Sequence, residues 1–302
     1  MAMLPTSAQI RSPIPAGKLP GRRLRPARTL TPTLAYIVVA PFFTGLLLAL
    51  HSWWGLFILF GSHALLILHT LLPRGQGFGP IVTRFETVEP EVWLTIDDGP
   101  DPLTTPGILE VLARHQVSAT FFLVGDRVRE HPGLAAQVLA AGHHLGNHSQ
   151  THPQHHFWGL SPMGLRREID GLEEVFRGAG LPVPALFRAP VGMANPFLHF
   201  ALEARGLVPV AWSVRSYDTR HRNVDLTVRR LLAGTRPGAI LLVHDGLPET
   251  APALDLLLAG LKDRGYRAVV PSVVALRAGW RPGKDCAPKE KVPECRGVGV
   301  RH

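Results

Sequence analysis

Apolar and polar residues follow two different rhythms along this chain. From residue 34 to residue 72 there is no Asp, Glu, Lys or Arg. Within that stretch, 34–50 and 55–72 are apolar runs parted by His51-Ser52-Trp53-Trp54. Each run sits near the short end of the roughly 17–25 residues of a membrane-spanning helix. Tryptophans at the break suit an interfacial aromatic belt, and Pro41 is tolerable where neighbouring helices satisfy the freed backbone groups. The pattern predicts a two-helix transmembrane hairpin over 33–73. One long span with an interfacial extension, or a buried soluble hairpin, are the competing readings. A cleaved signal peptide fits poorly, because the apolar region is too long and has a second half.

The second rhythm begins near residue 91. Short runs at 92–96, 119–124, 143–147, 185–187, 208–214, 239–243 and 266–270 read as strands, the first of them apolar and β-branched. Between them lie helical patterns. One starts at Thr104 or Thr105, with Pro106 in its first turn and Ile108, Leu109, Val111 and Leu112 as its stripe. Others cover 131–141, 161–176, 195–205, 226–232 and 252–262, several closing on a glycine. Alternating strands and helices imply an α/β fold with a parallel sheet and right-handed crossovers. About seven such units in so short a stretch predict a distorted (β/α) barrel, with an open doubly wound sheet as the alternative. No Gly-rich fingerprint follows any strand, which argues against a nucleotide cofactor. The expected organisation is a basic leader over 1–32, the hairpin over 33–73, a linker over 74–90, one domain over 91–278 and a Pro/Lys-rich tail over 279–302.

Composition adds little until it is placed along the chain. Hydrophobic residues make up 46% of the 302 and charged ones 18%, a skew that the uncharged stretch explains. Arg11, Lys18, Arg22, Arg23, Arg25 and Arg28 precede that stretch with no acid among them. The positive-inside tendency puts this end in the cytoplasm of a bacterial-type inner membrane. Two spans return the domain to the same side and one span exports it, so the side stays open, with Arg74 and Arg84 favouring the return. The net charge of +9 is not a nucleic-acid signature, because no basic stripe with interleaved aromatics occurs. Membrane lipids and acidic glycans are better counterparts. Cys286 and Cys295, the two cysteines, are too few for a four-ligand structural zinc site. They either close a small disulfide loop in an oxidising compartment or are idle thiols.

The candidate chemistry lies at strand ends. Asp97 and Asp98 close the first strand before a Gly-Pro turn, and two adjacent buried carboxylates repel unless a cation relieves them. His148 and His152, four apart, follow the third strand. Arg188 ends the fourth, Asp218 follows the fifth and His244 ends the sixth. In an α/β barrel this face carries the active site. Asp98, His148 and His152 together offer three ligands and leave open the position a hydrolytic zinc needs. Solvated or core histidines are the competing reading of the pair in a chain with 15, and His155 and His156 read as surface residues.

Five stretches carry a family resemblance: Thr95-Ile96-Asp97-Asp98-Gly99-Pro100, His148-Ser149-Gln150-Thr151-His152, Arg188-Ala189-Pro190, residues 212–218 and Leu242-Val243-His244. In order and content they resemble the polysaccharide deacetylases, carbohydrate esterase family 4, over roughly 91–276. The resemblance implies a distorted barrel and a divalent metal, usually Zn2+, held by Asp98, His148 and His152. It implies Asp97 as general base, Arg188 as its ion-pair partner and His244 as the acid that protonates the departing nitrogen. Asp218 is placed to hold His244 in the right tautomer. A backbone N–H near Val191 would stabilise the oxyanion, Trp212 would wall the pocket, and Leu242 would lie under the acyl group. The departures are Ile96 for the commoner Phe, Val191 where an aromatic often stands, and Arg215 and Thr219 where many members carry Asp and Trp. Asp218 is therefore the least determined assignment.

The expectation is a membrane-tethered, metal-dependent hydrolase that removes N-acetyl groups from amino sugars of a glycan. The alternatives are an amidohydrolase acting on a lipid-linked saccharide or a non-sugar amide, and a catalytically idle glycan-binding membrane protein. Neither nucleic acid nor a nucleotide cofactor is expected.

Overall fold

The uncharged stretch folds as two helices, α1 (Pro32–Ala49) and α2 (Trp54–Leu71), in the computed structural model, which describes residues 32–72, 78–273 and 276. The basic leader up to residue 31 and the tail with Cys286 and Cys295 lie outside the described residues. The helices turn back on each other through His51, at φ 58. Thr44 Oγ1 donates to the Gly55 carbonyl at 2.9 Å, and a Cβ at Gly55 would come within 2.9 Å of the Thr44 carbonyl. Small residues thus bring the backbones together, while Phe42, Phe43, Phe57 and Phe60 stay exposed on the outer faces. Among the described residues only Trp54–Leu71 is long and apolar enough to cross a membrane, and the apolar part of α1, Ala35–Ala49, is shorter. The expected hairpin therefore exists as a helix pair with one helix of spanning length. Each helix has 18 residues, or about 27 Å at 1.5 Å per residue.

The alternating region forms eight strands: β1 (Glu91–Asp97), β2 (Thr120–Leu123), β3 (His144–Asn147), β4 (Leu186–Phe187), β5 (Val208–Pro209), β6 (Val214–Arg215), β7 (Ala239–His244) and β8 (Arg267–Ala268). Eight further helices follow or separate them: α3 (Thr105–Arg114), α4 (Gly125–Glu130), α5 (Pro132–Ala140), α6 (Pro162–Gly178), α7 (Leu198–Glu203), α8 (Asp218–His221), α9 (Val224–Gly234) and α10 (Thr250–Asp263). The strands pair in parallel in the order β5-β4-β3-β2-β1-β7-β6, with β8 on the start of β1. The sheet is a curled, incomplete barrel rather than a closed one, since β5 and β6 are not paired with each other.

Residues 81–85 bridge that gap. Val82 pairs with Val210 and Arg84 with Ala239, and Val82 and Phe85 pack with Trp93, Ile240 and Leu242. Gly238, at φ 76, makes the contact possible, because a Cβ there would lie 2.1 Å from the Phe85 carbonyl. Part of the stretch expected to be linker is thus a piece of the barrel.

The two-residue period of a strand sorts β1 and β7 into inner and outer columns. Val92, Leu94 and Ile96, with Leu241 and Val243, pack outward with Ile108, Leu254 and Leu257. Trp93, Thr95 and Asp97 alternate with them, as do Ile240, Leu242 and His244. The register pairs Asp97 with His244, so both side chains end the inner columns at the same level.

The run expected as one strand over 208–214 is broken into β5 and β6. The Val210 and Ala211 carbonyls between them accept from the Arg188 guanidinium at 3.2 and 2.9 Å, so this backbone serves a side chain rather than a neighbouring strand. The helix expected over 195–205 is shortened to α7, and the short helices α4 and α8 were not expected.

Candidate active site

The end of β1 delivers two acids to different places. Asp97 continues the inner column and is 2% exposed. Asp98 leaves the strand at φ 72, which turns its carboxylate toward the loop after β3. That loop is tied down from several sides. Asn147 Oδ1 accepts from the Ser149 N–H at 2.8 Å, and Ser149 Oγ accepts from the His152 N–H at 3.1 Å. Glu168, on α6, accepts from both the N–H and the hydroxyl of Thr151. Ser149 and His152 adopt φ 69 and 52, a region that disfavours any side chain by about 1–2 kcal/mol per residue. Such strain concentrates where a constellation of side chains has to be held.

The loop brings the His148 and His152 Nε2 atoms each to 3.3 Å from Asp98 Oδ1. His148 Nδ1 lies 2.9 Å from the Arg188 carbonyl. A carbonyl only accepts, so Nδ1 carries the proton and the Nε2 lone pair points inward. Asp98 Oδ1 is buried without a hydrogen-bond partner. One donor atom from each of the three residues lies within 4.8 Å of the others. An orphaned carboxylate oxygen facing two imidazole Nε2 atoms fits a divalent cation, and two nitrogens with one oxygen suit zinc. Burial raises the Asp98 pKa, but His148, His244 and His152 outweigh it and hold the carboxyl well below its usual range. Burial first, then the neighbouring His148, lowers His152 to about 4, keeping it neutral.

Asp97 faces the other way, toward Arg188. The guanidinium, 1% exposed, donates to Asp97 Oδ1 at 2.6 Å and to Thr95 Oγ1 at 2.8 Å. It lies 4.1 Å from the Phe122 ring centre. The second Asp97 oxygen is 3.7 Å from His148 Nε2, so this carboxylate borders the ligand cluster without belonging to it.

His244 ends the inner column of β7, and Asp218, the first residue of α8, grips it twice. One Asp218 oxygen accepts from the His244 backbone N–H at 2.9 Å, and the other lies 2.7 Å from Nδ1. Burial lowers the His244 pKa, but Asp218, then Asp98 and Asp97, more than compensate and raise it. The same contact, working against burial, lowers Asp218.

A cavity of about 140 Å³ joins these groups, with Asp97, Asp98, His148, His152 and His244 on its wall. Val191, at φ 56, Trp212 and Leu242 also line it, whereas Arg188 and Asp218 stand behind Asp97 and His244. All ten residues singled out from the sequence thus converge on one place. Sequence reasoning missed Gln154 as a wall residue, Thr95 under Arg188, and Glu168. Thr95 reads as one more β-branched strand residue, and its polar side chain inside an otherwise apolar inner column was the available signal. Gln154 and Glu168 carry none.

Residues 85–210 match a family model described as polysaccharide deacetylase. The chain is 37% identical over 202 residues to a chitooligosaccharide deacetylase of Sinorhizobium fredii, covering 61% of this chain and 92% of that one. It is 40% identical over 177 residues to the peptidoglycan-N-acetylglucosamine deacetylase PgdA of Listeria monocytogenes, covering 58% of this chain and 37% of that one. Among solved structures, a family 4 carbohydrate esterase from Streptomyces lividans in complex with acetate matches at TM-score 0.58 and 30% identity, covering 65% of this chain and 98% of that one. A CE4 family pseudoenzyme from Bacillus anthracis matches at TM-score 0.59 and 29% identity, covering 64% and 68%.

Proposed function

This chain belongs to the polysaccharide deacetylase family, a hydrolase of carbon–nitrogen bonds other than peptide bonds, and we propose that it removes N-acetyl groups from the amino sugars of a glycan with the help of a divalent cation. Asp98, His148 and His152 would hold that cation, zinc by the character of the donors. When bound, it supplies Lewis acidity to the acetyl carbonyl and acidity to the attacking water.

The remaining work falls to the chain's own groups. Asp97 takes the proton of the attacking water through the oxygen that Arg188 leaves free, and the guanidinium fixes the rotamer of the carboxylate. The Val191 N–H is the donor for charge that develops on the carbonyl oxygen, held in place by the turn at Pro190–Gly192. His244 gives its proton to the departing nitrogen. Asp218 keeps that proton source charged and its ring oriented, because Nδ1–H points at the carboxylate and leaves Nε2 toward the cavity. Leu242 and Trp212 form the apolar side against which an acetyl methyl packs.

The observation that carries this reading is the partnerless Asp98 oxygen between two imidazoles, with a base–arginine pair and an acid–carboxylate pair on the same small cavity. The full-length protein in detergent should release acetate from an N-acetylated glucosamine oligosaccharide, and a chelator should stop it. Release that survives both exhaustive chelation and Asp97→Asn would overturn the reading. A catalytically idle binding protein on this fold would need neither the cation nor the Asp97–Arg188 pair.

We take α1 and α2 as a membrane anchor ahead of the catalytic domain, between the basic leader and a Pro/Lys-rich tail. The Ala194 N–H donates to the Thr70 carbonyl at the end of α2, 3.3 Å away, and Phe78 packs beside Ala194, Ile37 and Leu66. The domain thereby rests on the anchor, a placement that suits a lipid-linked saccharide as substrate. A topology reporter fused at the C-terminus separates that reading from action on an exported glycan.

A further inference from the structure

The acids of the cavity are all committed. Asp97 is paired with Arg188, Asp98 faces the imidazoles, and Asp218 holds His244. One cation on the same wall is not. Arg215, on β6, lines the cavity beside Trp212 and Thr219. Its guanidinium lies 5.3 Å from the Trp212 ring centre and 5.2 Å from that of Tyr217. The Arg230 guanidinium also lies over the Tyr217 ring, at 5.4 Å. Arg215 Nε is buried without a hydrogen-bond partner, and no carboxylate among the described residues forms an ion pair with it. The helices that follow, α8 and α9, pack on β7 and β6 and are cationic. Arg220, Arg222, Arg229 and Arg230 are exposed there, with Asp225 as the one exposed acid between Val214 and Gly234.

Ring contacts from Trp212 and Tyr217 restrain the guanidinium, a fork of N–H donors that meets no acceptor among the described residues. That fork matches the paired oxygens of a carboxylate or phosphate, and an uncharged sugar hydroxyl leaves most of it unanswered. The positive charge of these two helices raises the local concentration of an anionic ligand. Building on the deacetylase reading above, we propose that Arg215 is a specificity-determining residue that selects amino sugars bearing an oxyanion, carboxylate or phosphate, close to the N-acetyl group.

The test compares three substrates with the full-length, zinc-loaded protein: a neutral N-acetylglucosamine oligosaccharide, a glycan strand carrying the lactyl carboxylate of N-acetylmuramic acid, and N-acetylglucosamine 1-phosphate. The two anionic arms distinguish carboxylate from phosphate as the group recognised. Wild-type kcat/KM should favour one anionic substrate over the neutral one by at least roughly tenfold, with the preference fading as salt rises. Arg215→Gln should shrink that ratio by roughly ten- to hundredfold, mostly through KM. Arg215→Lys should fall in between, because it keeps the charge and loses the fork. A wild-type preference for the neutral oligosaccharide, or a ratio that Arg215→Gln leaves unaltered, would overturn the role of Arg215 alone. Acetate release from none of the three would overturn the deacetylase reading, and this inference with it.

Discussion

Replacing Arg188 by methionine tests the core of the site, and its size follows from the contacts it removes. The guanidinium is 1% exposed and serves the Asp97 carboxylate, the Thr95 hydroxyl and the Val210 and Ala211 carbonyls. Methionine fills similar volume but donates nothing. Removing one partner of a buried ion pair costs about 3–5 kcal/mol, because the other charge stays behind. Each buried carbonyl left unanswered adds about 1–3 kcal/mol. Arg188→Met should therefore lose at least about 4 kcal/mol, a large part of the roughly 5–15 kcal/mol of an ordinary domain. Adding Asp97→Asn removes the stranded charge and should return about 2 kcal/mol or more, a coupling that a double-mutant cycle reads directly. Urea unfolding followed by tryptophan fluorescence is the assay, with buried Trp93 and Trp212 as reporters. A loss below about 1 kcal/mol, or a double variant no more stable than Arg188→Met, would refute the reasoning.

Other outcomes follow from the same geometry. As a general acid, His244 acts when protonated, so turnover should hold below its raised pKa and fall above it. Asp218→Asn leaves burial to dominate, moving the alkaline limb of the kcat–pH profile to lower pH and cutting kcat by roughly 10²–10⁴-fold; an unmoved limb would contradict the role. His199, lowered to about 4 by burial, takes up its proton later in the folded chain than in the unfolded one, near 6.5. Stability should thus be lost as pH falls from about 6.5 to 4, with His199 contributing on the order of 1–3 kcal/mol. Equal urea midpoints at pH 7 and pH 4.5 would count against this. Glu168→Gln should weaken the anchoring of Thr151 and lower metal affinity by roughly 10–100-fold, as for other groups that orient ligands; a metal titration measures it.

Much of the site was legible because chemistry and strand periodicity point the same way. A carboxylate or imidazole that terminates an apolar run, as Asp97 and His244 do, has few places to go except the mouth of the sheet. The inner columns then follow from counting by twos. Other features depend on tertiary contacts that no local pattern records. The break between β5 and β6 exists because Arg188, 22 positions from Val210, claims the carbonyls of an apolar run that reads as an unbroken strand. The residues at 81–85 look like linker, yet they close the gap that this break leaves. Asp98, Ser149, His152 and Val191 adopt left-handed backbone angles without a glycine to announce them. Asp218, the least determined residue from motif comparison, proved the most tightly engaged with His244.

The most direct test is stoichiometric reconstitution. Metal is stripped from the full-length protein, Zn2+ is returned in steps, and bound metal and acetate release are followed together. Release should be absent at zero metal, rise linearly to an end point at one zinc per chain, and be lost together with binding in Asp98→Ala, His148→Ala and His152→Ala. Full activity in the metal-free protein, or zinc bound undiminished by all three variants, would contradict the proposal.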